Sequence, residues 1–136
     1  MTAALTKFDP VPTPETQAFW DGCREHRLLI QRCTTCGHVQ FYPRGFCTQC
    51  GRRNPGWVQA SGRGTVATYT VVRTPVSPAY AGDVPYVIGL IRLEEGPVMM
   101  SQLTGCDPAA VISGMAVQVA FRVRSERITM PEFRRV

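Results

Sequence analysis

The sequence predicts a mainly β protein: a short N-terminal helix, then a zinc ribbon, then a five-stranded barrel of the OB type. Three observations carry that expectation. Two Cys-x-x-Cys-Gly knuckles, Cys33–Gly37 and Cys47–Gly51, stand ten residues apart. A capped, amphipathic segment precedes them. After the glycine-rich stretch Ser61-Gly62-Arg63-Gly64, branched and aromatic residues recur in five short runs separated by turns. The parts fall at residues 1–27, 28–60 and 61–136.

Taken in order, residues 1–12 read as a draped arm of mixed polarity. Thr13-Pro14-Glu15 is a helix start, with a capping hydroxyl, Pro at the first helical position and an acid in the first turn. The helix is expected over 14–26, with Phe19, Trp20 and Cys23 on one side. Leu28–Arg32 leads into the first knuckle, Val39–Pro43 returns from it, and Trp57–Ala60 closes the ribbon. Cys33, Cys36, Cys47 and Cys50 supply four thiolates, the number and softness that zinc takes in a tetrahedron. Such a set leaves no position for water or substrate, so the site reads as structural. Zinc is the expected ion, and iron also suits four thiolates. Gly37 and Gly51 supply the backbone freedom for each knuckle to turn away. Cys23 and Cys106 stand alone and read as small buried apolar residues.

Barrel strands are expected at 65–74, 85–93, 97–103, 115–124 and 127–135. Glu94-Glu95-Gly96 is a hairpin turn, and a helical turn capped by Asp107 lies before the fourth strand. Val117, Val119, Phe121 and Val123 alternate with polar residues, so Phe121 falls on the core face. Pro131 points to an edge or a bend in the last strand.

The chain has 136 residues and a net charge of +5. Between residues 24 and 53 stand six arginines (Arg24, Arg27, Arg32, Arg44, Arg52, Arg53) against Glu25 alone, so the whole excess sits on and beside the ribbon. Those arginines either compensate a zinc–tetrathiolate centre or offer an anion site. No apolar run approaches the roughly 18–20 residues that span a membrane. No secretory pattern is visible in Met1–Lys7. A cytoplasmic location without membrane contact is therefore expected, where thiols stay reduced. No nucleophile elbow or phosphate-cradling glycine loop appears, and the two histidines, His26 and His38, have no visible catalytic partner. No catalytic residue is assigned. Nucleic-acid binding by the ribbon and barrel is the rival reading, disfavoured by the barrel's neutral charge and by Phe121 facing the core.

Several motifs carry a family resemblance over about residues 14–124. They are Phe19-Trp20-x-Gly22, Leu29-x-Gln31-Arg32-Cys33-x-x-Cys36-Gly37, Phe41-x-Pro43-Arg44, Cys47-x-x-Cys50-Gly51, Pro85-Tyr86-Val87-Ile88-Gly89-Leu90 and Leu93-x-x-Gly96. The chain resembles the acyl-CoA-associated family that joins a rubredoxin-like zinc ribbon to an OB-fold. The resemblance implies a non-catalytic accessory subunit in a hetero-oligomer. Its partner would be a thiolase-fold, hydratase or lipid-transfer-protein-like aldolase subunit, forming or cleaving C–C bonds on a CoA thioester, such as a steroid side chain or a fatty acyl group. Under that reading Arg32, Arg44, Arg52 and Arg53 are candidates for the CoA phosphates. Phe19, Trp20, Phe41, Tyr42, Tyr80 and Tyr86 are candidates for docking the partner, and a CoA thioester would lie at the interface.

Overall fold

A computed structural model describes residues 6–136. It shows one helix, α1 (Gln17–Arg24), and eight strands. Strands β1 (Leu29–Arg32), β2 (Val39–Gln40) and β3 (Gly56–Gln59) form a three-stranded antiparallel ribbon in the order β2-β1-β3. Strands β4 (Arg63–Val72), β5 (Tyr86–Leu93), β6 (Val98–Thr104), β7 (Ala116–Val123) and β8 (Thr129–Arg135) close a barrel in the order β4-β5-β6-β8-β7. The parallel β6–β8 pairing and the return of β7 to β4 give the OB topology. Short 3₁₀ turns lie at Pro78–Tyr80 and Pro108–Ala110, the second capped by the Asp107 carboxylate accepting from Ala109 N–H.

The helix is shorter than its sequence pattern at both ends. At the start, Thr13 and Thr16 close a turn of their own. Thr13 N–H donates to Thr16 Oγ1 at 2.8 Å and Thr16 N–H returns to the Thr13 carbonyl at 3.0 Å. Helical bonding begins only with Trp20 N–H to the Thr16 carbonyl. At the far end His26 takes φ 59°. Arg27 N–H reaches the Gly22 carbonyl and His26 N–H reaches Cys23, the paired bonds of a Schellman stop. A histidine fills the position that glycine usually takes, and its ring stacks on Phe121 of β7 at 5.3 Å.

Strand boundaries moved by one to three residues. The sharpest case is β2, which stops at Gln40, three residues before Pro43. The hinge stretch joins β4 directly: Gly62 takes φ 82°, and a Cβ there would fall 2.4 Å from Val119 Cγ1. Pro131 lies inside β8, paired with Phe121 on β7. Pro131 is buried, and its carbonyl accepts from Ser101 Oγ of β6 at 3.3 Å, while the β6 ladder itself is limited to Leu103 and Thr104.

One contiguous core runs through all three parts. Phe19 and Cys23 from α1, and Leu28 and Ile30 from the ribbon, join Val66, Ile91, Leu93, Met99, Val117 and Phe133 of the barrel. Phe121 is half-buried against this core, and Cys106 is half-buried where full burial was expected. Of the arm, residues 1–5 lie outside the described residues. Residues 6–12 have no regular structure and are tied to the barrel. Asp9 accepts from Arg124 Nε at 3.0 Å and from Ser125 Oγ at 2.6 Å, and Lys7 pairs with Asp83.

Phe19 is corrected as a docking candidate. Its ring is 5% exposed, edge-on to Trp20 at 4.9 Å and tilted against Phe41 at 5.4 Å. The chain's own core receives it. Phe19→Ala should therefore cost about 3–5 kcal/mol, the usual loss for truncating a buried phenylalanine. Because that core is shared, denaturant curves followed by tryptophan fluorescence and by far-ultraviolet circular dichroism should shift together. Separate shifts would show that the ribbon and barrel melt independently.

Candidate metal centre

Each knuckle is built the same way. Gly37 N–H returns to the Cys33 carbonyl at 3.0 Å, and Gly51 N–H to the Cys47 carbonyl at 2.9 Å. Both glycines adopt positive φ, 77° and 78°. Those turns aim backbone N–H groups at the first sulfur of each pair: Thr35 and Cys36 at Cys33 Sγ, and Gln49 at Cys47 Sγ. The four sulfurs lie within 4.8 Å of one another. Cys33 Sγ stands 3.6 Å from Cys50 Sγ, and Cys36 Sγ stands 3.6 Å from Cys47 Sγ. A tetrahedral zinc–thiolate site with bonds of about 2.3 Å has sulfur–sulfur edges of about 3.8 Å. The spacing fits that group and is far beyond a disulfide of about 2.05 Å.

The thiol electrostatics agree with a cation at the centre. N–H groups of Cys36 and Thr35 pull the Cys33 thiol down to about 6. The N–H of Cys50 lowers Cys47. The N–H of His38 pulls on Cys36 too. Desolvation and the neighbouring sulfurs of Cys47, Cys50 and Cys33 nevertheless push it up to about 12. Metal-free, the Cys36 thiol resists ionisation; a divalent cation removes that resistance. Bound there, zinc would supply a fixed crosslink between the knuckles.

Two glutamines, which the sequence reading did not single out for a role, hold the knuckles to the sheet. Gln31 on β1 and Gln40 on β2 are 2% and 7% exposed. Gln31 donates through Nε2 to the Arg44 carbonyl at 2.7 Å. Its Oε1 accepts from Arg44 N–H and Gln40 Nε2, each at 2.8 Å. Gln40 in turn donates to the Phe46 carbonyl and accepts from Thr48 N–H at 2.9 Å. These contacts satisfy the irregular backbone of 44–48 as a third strand would. The only sequence signal was polar residues inside short strands.

The remaining candidates scatter. Arg32, Arg44, Arg52 and Arg53 are all exposed, and none forms an ion pair or bonds a sulfur among the described residues. Arg32 borders an open groove of about 570 Å³ lined by the first knuckle, Gly56, Trp57 and Val58. Trp20 and Phe41 are half-buried against the core. Tyr42 is 48% exposed, and its hydroxyl accepts from Met100 N–H of β6 at 3.1 Å. Tyr80 and Tyr86 are half-buried, their rings 6.2 Å apart, with Tyr86 at the start of β5. No helix among the described residues is long and apolar enough to cross a membrane.

A four-cysteine ribbon fused to a closed OB barrel is the class that this fold and site define. The family models bear this out. Residues 20–56 match the ChsH2 rubredoxin-like zinc ribbon domain, and residues 57–122 match the ChsH2 C-terminal OB-fold domain. A DUF35 domain-containing scaffold protein of Pyrococcus furiosus is 39% identical, over 79% of this chain and 79% of that protein. The 3-oxo-4,17-pregnadiene-20-carboxyl-CoA hydratase alpha subunit of Mycobacterium tuberculosis is 38% identical over 82% of this chain. The chain spans 35% of that protein's length, and 36% of a similar enoyl-CoA hydratase alpha subunit from Thermomonospora curvata. Among solved structures, a chain of the Ltp2-ChsH2(DUF35) aldolase superposes with a TM-score of 0.85. It is 31% identical, with 93% of this chain and 98% of that one covered. The chain belongs to the DUF35 family of zinc-ribbon and OB-fold proteins.

Two variants test the centre. Cys47→Ser should drop zinc from one ion per chain to near none, measured by elemental analysis after gel filtration. Retention of stoichiometric metal would contradict the four-thiolate site. Gln31→Leu orphans the Arg44 backbone and should cost about 1–3 kcal/mol for each buried group left unpaired. It should also speed metal loss to a chelator, read with a chromogenic zinc indicator.

Proposed function

We propose that the chain is a non-catalytic accessory subunit of an acyl-CoA-processing complex. Its partner is a thiolase-like or lipid-transfer-protein-like aldolase subunit that makes or breaks a C–C bond on a CoA thioester. The observation that carries this reading is the near full-length likeness to a chain of the Ltp2-ChsH2(DUF35) aldolase. Relatives with CoA hydratase names add a hydratase subunit as an alternative partner chemistry.

The site's chemistry supports an accessory role. A four-thiolate sphere has no open position at which a metal could activate water or polarise a carbonyl. The ribbon instead becomes a rigid platform, crosslinked at one end by metal and along its length by the two glutamines. Arg32, on the rim of the open groove, is positioned for the phosphates of CoA through charge-assisted hydrogen bonds. The acyl portion and the reacting groups would lie in the partner.

Affinity purification of the tagged chain from its native cell should bring down a thiolase-fold, aldolase or hydratase subunit. That subunit should lose most of its activity when the chain is removed. A pull-down free of any such enzyme, with the candidate enzyme fully active alone, would sink the proposal.

A further inference from the structure

The barrel carries one side unlike the rest of its surface. Along β5, Val87, Gly89, Ile91 and Leu93 point inward and are buried, so Tyr86, Ile88 and Leu90 point outward, with the exposed Arg92 at the end of the same row. On the paired strand Met99, Ser101 and Leu103 are buried, and Met100 and Gln102 face out beside them. The register rows Thr68–Leu90–Met100 and Thr70–Ile88–Gln102 hold no charged residue across three strands. A solvent-facing sheet surface ordinarily alternates in polar and charged groups. Here Met100 is 57% exposed and Leu90 39%.

This face continues past the barrel in both directions. At the β6 side Tyr42 of the ribbon, itself 48% exposed, closes over the strand edge through the Met100 N–H bond. That bond occupies the edge donor, so docking here proceeds through side chains and not through strand addition. At the β5 end Tyr86 meets Tyr80. Tyr42 also ties this face to the ribbon segment, residues 24–53, that carries six of the chain's arginines. Arg44 lies two residues beyond Tyr42, and Arg52 and Arg53 follow the second knuckle. All three are exposed and without an ion pair among the described residues.

We infer that this face, from Tyr42 across Met100, Leu90 and Ile88 to Tyr86, is where the enzyme subunit docks. The partner surface is an uncharged apolar patch bordered on its ribbon side by carboxylates. The charge complementarity fixes the orientation: apolar rows pack on β4–β6, and the partner's acids meet Arg44, Arg52 and Arg53. An uncharged centre with a charged rim is the anatomy of a specific protein interface. The inference rests on the accessory-subunit reading above and adds which surface does the work. It also gives the motif Tyr86-Val87-Ile88-Gly89-Leu90 two functions on alternate residues, core on one side and contact on the other.

The test uses the tagged full chain and the enzyme subunit that co-purifies with it. Met100→Glu should weaken the complex about tenfold or more, the scale of a disrupted interface centre. Thr68→Lys, at an exposed position on the same row, should do likewise without touching the core. Arg44→Glu should slow association and flatten its salt dependence. Val123→Glu, at a 70% exposed valine on β7, should change nothing. Zinc content and circular dichroism confirm that each variant is folded, and if Met100→Glu is not, Thr68→Lys decides. A wild-type complex that the folded variants leave intact overturns this surface alone. No enzyme in the wild-type pull-down overturns the functional reading, and this surface with it. Self-association of the isolated chain that Met100→Glu abolishes would assign the face to a second copy and overturn the enzyme as its occupant.

Discussion

Four sulfur atoms within 4.8 Å of one another carry their charge beside one another only if a cation shares it. That constraint shapes the first half of the chain. It demands that two knuckles converge from a sheet with two-residue and four-residue strands, too short to be stable by itself. The knuckle amides, the positive-φ glycines and the Gln31–Gln40 contacts all serve that convergence. The glutamines matter because the segment between the knuckles has almost no ladder of its own. Their amides replace it, buried where an unpaired backbone group would be expensive.

The ribbon and barrel are not beads on a string. Phe19 and Ile30 enter the same core as Ile91 and Phe133, and Tyr42 bonds the backbone of β6. His26, at the helix stop, stacks on β7. The metal crosslink is therefore coupled to the barrel through packing. A platform of this kind holds a surface in one shape, which suits the proposed role of positioning another protein.

Function in this reading comes from surface chemistry and not from a reacting group. Four thiolates would fill a metal's sphere and leave no open position for a reaction. The arginines do not bond the thiolates. Backbone amides reach the sulfurs of Cys33 and Cys47 instead. A neutral apolar face beside a cationic ribbon is an orienting device, and its two halves come from different parts of the fold.

The parts and their order were legible in local pattern. The spacing of the two knuckles was enough for the metal ligands, because a tetrathiolate site imposes a local geometry that only a few loop lengths satisfy. The alternation through Val117, Val119 and Phe121, with the turn residues between strands, was enough for the barrel. Which aromatics are core and which are surface depends on long-range packing. Phe19 and Tyr42 look alike in sequence, but Phe19 is enclosed by Trp20 and Phe41, while Tyr42 caps an open strand edge. The helix also ended where His26 could stack on Phe121, a contact made across 95 residues of chain. Gln31 and Gln40 gained their roles from what folds against them. Local pattern encodes a strand's period and a knuckle's ligands; burial depends on partners that arrive from elsewhere in the chain.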